Sequence, residues 1–114
     1  MAEKKRQEQI AAVIRRQAAD FLAAEAPGGR LVTVTKTQMS ADLSYVDIYV
    51  SILPNEGKEE VIKNLKKALP GLRRRLGNKL DLRQVPQPRL EYDNRSEAQA
   101  RVEEVLGEVN EEVE

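Results

Sequence analysis

The chain has 114 residues, of which 40% are hydrophobic, and its 19 Lys and Arg balance 19 Asp and Glu to a formal net charge of zero. A chain of this length forms one domain and buries roughly two-thirds of its unfolded surface, so its core needs no disulfide or metal. Because the sequence has no His and no Cys, Ser-His-Asp and Cys-His catalysis, HExxH zinc sites and zinc fingers are excluded. No apolar run approaches about 18 residues, and the first residues are charged. We therefore expect no membrane span and no signal peptide, and a cytoplasmic location.

The neutral total conceals an uneven distribution of charge. Residues 58–89 hold ten cations against three acids, a balance of +7, whereas residues 90–114 hold nine acids against two cations, a balance of −7. This partition is typical of a polyanion-binding region beside an acidic tail, but also of two solvated helix faces of opposite sign. Charge alone leaves both interpretations open.

The first half of the chain predicts one helix and two strands. Residues 4–25 carry apolar side chains every three or four positions and end at a Pro-Gly-Gly stop, which is the pattern of an amphipathic helix. Residues 31–39 and 43–52 are rich in Val, Ile and Thr and predict strands joined by a short antiparallel connection. Asp42 is expected to cap that turn. We expect Tyr45 and Tyr49, on one face of the second strand, to pack at the edge of the core, with base stacking as the alternative.

The second half predicts a helix that contains a proline. Residues 58–69 return to helical spacing, and a further apolar stripe runs to Leu80. Pro70 removes one amide and clashes with the preceding turn, so Ala68, Pro70 and Gly71 predict a kink in one bent helix or the junction of two abutting helices.

A third strand is predicted at residues 82–92, where Pro86 and Pro88 lie two residues apart. Both missing amides therefore point to the same side, as an edge strand tolerates. Ser96 and Gln99 then resemble a capping box, and residues 94–114 predict an acidic C-terminal helix or tail.

These elements predict an α+β fold in the order α-β-β-α-(kink)-α-β with a C-terminal helix. Each helix carries one apolar stripe and needs a sheet to cover it. The second strand returns through roughly 30 residues of helix, which favours a crossover into a parallel neighbour. We expect a three-stranded mixed sheet packed by helices, with one domain over residues 4–93.

The element order resembles the type II KH arrangement, and several stretches resemble one family, ribosome-binding factor A. The helix RQEQIAAVIRRQAADFL places Arg6 four residues before Ile10, as helix one of the family does. The second half of the match includes Leu76, Gly77 and Val85-Pro86. The remaining matching positions are Ser40, Asp42, Leu43, Tyr49, Val50, Ser51, Leu82, Arg83, Tyr92 and Asp93. The resemblance covers residues 6 to about 106.

The sequence departs from the family pattern at three places. The family marks its helix break with Ala-x-Gly, whereas this chain has Ala68-Leu69-Pro70 with its glycine one residue late, at Gly71. Asp81 stands where the family often has a basic residue, and Pro88 where it has an aliphatic one. The angle of the kink and the outer edge of strand three are the features that these departures affect.

The resemblance implies a maturation factor without catalytic activity. Proteins of the family associate with the free or immature small (30S) ribosomal subunit and assist late maturation of 16S rRNA near its 5′ end, above all in the cold. It therefore implies the small subunit and 16S rRNA as partners and a KH-like RNA-binding domain. We expect no cofactor, no metal, no small-molecule substrate and no membrane partner, and a monomer.

The residues themselves give candidates for RNA contact. Arg73, Arg74 and Arg75 are consecutive and span about 200° of a helix, so at least two must project outward, where guanidinium groups suit phosphate oxygens. A helix that restarts near Pro70 would add free amides as an anion site. Four further cations flank the arginines: Lys66, Lys67, Lys79 and Arg83. A second basic cluster, whose alternative is a frayed and solvated terminus, comprises Lys4, Lys5 and Arg6.

The mode of binding follows from what the sequence lacks. It has no Gly-x-x-Gly loop between helices, which KH modules use to clamp single strands, and it has only one Phe, three Tyr and no Trp for base stacking. We therefore expect recognition of folded RNA through its shape and phosphates. The alternative hypothesis is a protein-interaction adaptor that uses the edge of strand three and the acidic C-terminal helix.

Overall fold

A computed structural model describes residues 2–95 as five elements. They are α1 (Ala2–Glu25), β1 (Leu31–Met39), β2 (Tyr45–Leu53), α2 (Lys58–Lys79) and β3 (Gln87–Tyr92). The C-terminal helix or tail predicted for residues 94–114 lies outside the described residues from residue 96 onward. In the described part of the chain, no helix has both the length and the apolar character that a membrane span requires.

The strands form one mixed sheet in the order β1-β2-β3. β1 and β2 are antiparallel, from the pair Leu31 and Leu53 to the pair Met39 and Val46, with an irregularity between Val34 and Lys36. β3 is parallel to β2. The helical crossover through α2 makes this parallel pairing possible, and the predicted α+β fold with a KH-like order of elements is confirmed.

Both helices pack on one face of the sheet. Alternate residues of β2 face them, and all four are almost completely buried: Val46, Ile48, Val50 and Ile52. α1 contributes Ile14 and Leu22, and α2 contributes Leu65 and Leu72, each fully or nearly fully buried. Burial of a large aliphatic side chain stabilises the fold by about 1.5–3 kcal/mol, so this layer holds the sheet and helices together.

The residues between these on β2 lie on the opposite face, which no described element covers. We call Lys36, Tyr45, Asp47, Tyr49 and Arg89 the open sheet face. Their side chains alternate with those of the core residues on β1, β2 and β3. Tyr45 is 43% exposed. The expectation that the two tyrosines pack at the core edge is therefore wrong, because the alternation of β2 turns both of them away from the helices.

α2 is one continuous helix that includes Pro70, so of the two predicted alternatives the single helix is right and the junction of two abutting helices, with its restart near Pro70, is wrong. Gly71 and Leu72 are interior residues of the helix, and they do not form an N-terminal anion site. The core residues Leu65 and Leu72 are buried while Pro70 is exposed, so the proline ring lies on the solvent side of α2, the side on which helices are convex. A bend of the axis at Ala68, Pro70 and Gly71 stays a prediction.

Gly71 has a role that the sequence did not indicate. A Cβ atom at this position would lie 3.2 Å from Cζ of Phe21, which is tighter than ordinary van der Waals contact. The glycine therefore allows α1 and α2 to approach closely at the ring of Phe21. We assign it to helix packing rather than to flexibility at the proline.

β3 is shorter than predicted, since residues 82–86 form a loop before Gln87. The Gln87 amide donates to the Ser44 carbonyl at 2.9 Å, and the Asp93 amide donates to the Val50 carbonyl at 2.8 Å. Amides of the odd-numbered residues thus face β2, and those of the even-numbered residues face outward. Pro88 belongs to the outward set and Pro86 lies in the loop, and β3 is at the edge of the sheet, which confirms the predicted edge strand.

Candidate nucleic-acid interface

One side of α2 carries a continuous set of cations. The buried stripe of this helix contains Val61, Leu65, Leu72 and Leu76, and the cations project from the opposite side. We call this set the α2 basic face, and all of its members are exposed: Lys63, Lys66, Lys67, Arg73 and Arg74. From Lys63 to Arg74 the helix rises about 16 Å, which is long enough to meet more than one phosphate of an RNA backbone.

The charges of the α2 basic face have no ionic partner among residues 5–95. Within the part of the chain that the structure describes, the ion pairs join Arg89 to Asp47 and Arg95 to Asp93, and none includes a member of this face. The acids of α2 nearest to it, Glu59 and Glu60, lie in the first turn, where the helix dipole favours negative charge. The positive charge of α2 is thus available to an external anion.

Arg75 differs from its two neighbours. It is half-buried, and its Nε donates to Oε1 of Gln17 at 2.7 Å. This hydrogen bond ties α2 to α1 across 58 residues of sequence. The expectation that at least two of the three arginines face solvent is confirmed by Arg73 and Arg74, whereas the structure directs Arg75 toward the helix contact.

A shallow groove extends the α2 basic face toward the sheet. It has a volume of about 260 Å³ and lies between α2 and the start of β3, with Lys66, Pro70 and Arg73 on one side and Gln87 and Pro88 on the other. A cation stands one turn on either side of Pro70 along this groove. An anion bound there would therefore meet positive charge from two directions.

The remaining predicted residues lie elsewhere. Lys79 is exposed in the last turn of α2, and Lys5 is exposed on α1. Arg83 follows α2 in the loop before β3, where it lines one cleft together with Arg6. The two basic clusters that the sequence predicts separately thus meet at these two arginines. The side chain of Lys4 lies outside the described part of the structure.

The open sheet face is also rich in charge, but its charges are paired. Arg89 donates from Nε to Oδ1 of Asp47 at 2.7 Å, and its guanidinium lies 4.5 Å from the ring centre of Tyr45. The hydrogen bond that Arg89 donates to Asp47 raises the pKa of Arg89 further above its usual range. Lys36 Nζ lies 5.7 Å from the ring centre of Tyr49. Each tyrosine ring of this face therefore already has a cation of the protein over one of its two sides.

Asp93, directly after β3, forms hydrogen bonds with β1, with β2 and with Arg95. It is 5% exposed, its Oδ2 accepts from Thr35 Oγ1 at 2.6 Å, and Arg95 donates to both of its oxygens. These hydrogen bonds, first of all that from the Arg95 side chain, hold the pKa of Asp93 well below its usual range. The Arg95 amide also donates to Oδ1 at 3.0 Å, which closes a turn at Asp93-Asn94. The carboxylate stabilises the end of β3.

Sequence reasoning omitted Lys63 from the candidate site. Its spacing of three and four residues from Lys66 and Lys67 places it on the same side of α2, and this signal could have identified it. In the described residues there is no group of three or more His, Cys, Asp or Glu side chains that could hold a metal ion. The chemistry available to this surface is therefore ionic and hydrogen-bonding contact.

Comparisons with known proteins agree with this architecture. The family model for ribosome-binding factor A matches residues 6–106. A ribosome-binding factor A of Clostridium botulinum (strain Okra / Type B1) is 35% identical over 71% of this chain and 68% of the relative. Another, of Synechococcus sp. (strain WH7803), is 32% identical over 98% of this chain and 84% of the relative. The crystal structure of ribosome-binding factor A from Thermus thermophilus superposes with a TM-score of 0.64, at 24% identity, over 75% of this chain and 92% of that one. With its α-β-β-α-β order, its mixed sheet and these relatives, the chain belongs to the ribosome-binding factor A family.

Proposed function

We propose that this protein is a ribosome assembly factor that binds the free or immature 30S subunit. It assists late maturation of 16S rRNA near the 5′ end of that RNA, and it matters most in the cold. The proposal includes a cytoplasmic monomer that acts without a cofactor, a small-molecule substrate or catalysis. Membership of the ribosome-binding factor A family supports it. The observation that carries it is the α2 basic face, whose five exposed cations have no ionic partner in residues 5–95.

The α2 basic face suits phosphates of a structured RNA. The guanidinium groups of Arg73 and Arg74 can each donate two parallel hydrogen bonds to a phosphate, and the lysines add mobile point charges. Contacts of this kind supply affinity that does not depend on base identity and that falls steeply with salt. A folded ribosomal RNA offers such phosphates at fixed spacing.

The open sheet face does not compete for this role. Base stacking requires a free side of an aromatic ring, and the Arg89 guanidinium already lies over one side of Tyr45 and Lys36 Nζ over one side of Tyr49. This arrangement supports recognition through phosphates and shape rather than through a row of stacked bases.

Sedimentation of tagged protein through a sucrose gradient tests the proposed function. We expect the protein in fractions that contain free small subunits, and we expect its deletion to produce unprocessed 16S 5′ ends and slow growth in the cold. Protein in which the α2 basic face is changed to glutamine should remain at the top of the gradient. Absence of the unaltered protein from small-subunit fractions, together with normal processing after deletion, would refute the proposal.

The second candidate function is a protein-interaction adaptor that uses the edge of β3. At that edge Pro88 supplies no amide, so one of the three outward N–H donors of β3 that a partner strand would use is missing. This geometry favours the RNA-binding proposal. The adaptor would gain support if RNA affinity were weak and insensitive to substitution of Arg73 and Arg74.

A further inference from the structure

A cleft of about 460 Å³ lies where the start of α1, the turn between β1 and β2, and the loop after α2 meet. Its apolar lining comes from Ile10, Leu43 and Leu82. Its polar lining comes from the same three segments, and comprises Arg6, Gln7, Asp42, Arg83 and Gln84. A patch of apolar side chains flanked by guanidinium and amide groups matches the parts of a nucleotide, which are a flat base, a sugar and a phosphate.

The two arginines of the cleft are available to a ligand. Arg6 and Arg83 come from opposite ends of the domain sequence, both are exposed, and neither forms an ion pair with another described residue. Two cations that converge on one cleft without an internal partner favour an anionic group between them.

Asp42 gives the cleft a directional acceptor. Its Oδ1 accepts hydrogen bonds from Ser40 Oγ at 2.9 Å, Ser44 N at 3.1 Å and Ser44 Oγ at 2.6 Å, which confirms the predicted turn. Its Oδ2 receives no hydrogen bond from the described residues. These bonds, chiefly those from Ser44, lower the pKa of Asp42 to about 2, so the carboxylate is ionised and accepts only. Its second oxygen can accept a hydrogen bond from an N–H or O–H donor of a ligand.

Leu43, in the wall of the cleft, has an uncommon backbone conformation. Its φ is 61°, in the left-handed region that residues other than glycine seldom adopt. The same side chain also lines a second cavity, of about 300 Å³, together with Gln7 and Met39. Leu43 therefore forms part of the wall of two adjoining cavities.

From these features we propose that the cleft binds one unpaired nucleotide of RNA whose base carries an exocyclic amino group. The base packs against Leu43 and Leu82 and donates its amino hydrogen to Asp42 Oδ2. Its phosphate lies between Arg6 and Arg83. This inference rests on the proposed function, because it assigns to the cleft one nucleotide of the RNA that the α2 basic face holds by its backbone.

Cytosine and uracil provide a matched test, because their bases differ where one has an amino donor and the other a carbonyl acceptor. In amide NMR titrations of the full chain, we expect CMP to shift the signals of residues 42–44 and 82–84 and to bind about tenfold more tightly than UMP, as a hydrogen bond to a charged acceptor allows. Ribose 5-phosphate, which has no base, should bind more weakly than both.

Substitutions separate the parts of the cleft. Asp42→Asn places an amide beside the base and should reverse the preference in favour of UMP. Leu43→Gly suits the positive φ, so the fold persists, and CMP affinity should fall because the apolar wall is lost. Arg83→Gln should weaken CMP and UMP equally, whereas Arg16→Gln, on the exposed side of α1, should weaken neither.

RNA pentamers distinguish a site for RNA from a site for free nucleotides. The pentamer UUCUU should bind more tightly than UUUUU and should shift the same amide signals as CMP. Equal binding of the two pentamers, equal binding of CMP and UMP, or shifts from ribose 5-phosphate as large as those from CMP would each overturn the proposal. None of these results would contradict salt-dependent RNA binding through the α2 basic face. Conversely, if that RNA binding were absent, the expected CMP titration would not change.

Discussion

The α2 basic face and the open sheet face contain similar side chains in opposite electrostatic conditions. On the open sheet face Arg89 is bound to Asp47 and covers Tyr45. On α2, Arg73 and Arg74 project without an anionic partner among the described residues. The difference shows that a count of charges does not locate a binding surface, because paired charges serve the fold and only unpaired ones attract an external anion.

The acids that make the net charge zero lie apart from the cations of α2. The acids that cancel the cations of residues 58–89 are mostly in residues 96–114, which hold seven acids against Arg101. They do not alternate with the cations along α2. The chain can therefore be neutral overall and still present a strongly positive helix surface.

The largest effect is expected from removal of the unpaired charges. Changing Lys63, Lys66, Lys67, Arg73 and Arg74 to glutamine should lower affinity for a transcript of the 16S 5′ region roughly a thousandfold at physiological salt, since each lost phosphate contact removes counterion release. Fluorescence anisotropy measures this change. The melting temperature should stay nearly unchanged, and a large drop would mean that these charges stabilise the fold instead.

Substitution of a paired charge should lower stability rather than RNA affinity. Asp93→Ala removes a buried acceptor from Thr35 and Arg95 and should lower the free energy of unfolding by about 1–3 kcal/mol, with little effect on RNA affinity. Arg74→Gln should change that free energy by less than about 0.5 kcal/mol. Urea denaturation of both variants checks the contrast, and equal stability losses would contradict it.

The pH dependence of stability sharpens this point. The folded pKa of Asp93 lies below its unfolded value. The contribution of Asp93 to the free energy of unfolding is therefore complete above the unfolded pKa of about 4, and it declines as the pH falls toward the folded pKa. Urea midpoints of the unaltered protein should therefore drop between about pH 4 and pH 2. The Asp93→Ala variant should show a shallower drop over the same interval, and parallel curves would argue against the contribution.

A smaller effect is expected at the proline of α2. Pro70→Ala restores an amide to the interior of a continuous helix, so the free energy of unfolding should rise by about 1–2 kcal/mol. Because Pro70 is exposed, the alanine meets no steric obstacle. Thermal and urea unfolding test this prediction, and a loss of stability would show that the packing of α2 depends on a bend at the proline.

The smallest effect concerns the acidic segment. A chain that ends at Arg95 loses a net charge of −6 and should bind RNA a few times more tightly at low salt. The difference should vanish near 1 M salt, where the Debye length is about 3 Å. An affinity that falls after truncation would indicate that this segment contributes to binding rather than opposing it.

Periodicity predicted the fold well because each element carries its own pattern. These local signals are the alternation along β2, the apolar spacing of α1 and α2, and the prolines that predict an edge strand. The structure confirms all of them. The course of α2 through Pro70 was not predictable in this way. It depends on which side of the helix faces solvent, and packing with the rest of the domain decides that.

The sequence predicts only those residues of the candidate site that lie close together along the chain. Lys66, Lys67, Arg73 and Arg74 lie on one helix and could be identified from spacing. The contact between Arg75 and Gln17 joins residues 58 positions apart, and the cleft brings Arg6 near Arg83. Such long-range neighbours follow from the docking of α1, for which the sequence offers no direct signal.

The central claim is that unpaired cations on α2 bind RNA phosphates, and two pairs of adjacent exposed arginines test it. Arg73 and Arg74 lie on the α2 basic face, whereas Arg15 and Arg16 lie exposed on α1, and changing either pair to glutamine alters the net charge equally. The measurement is the slope of log affinity against log salt for the 16S 5′ transcript. The account predicts a slope shallower by about 1.5–2 for the α2 pair and an unchanged slope for the α1 pair. Equal changes for the two pairs would contradict it.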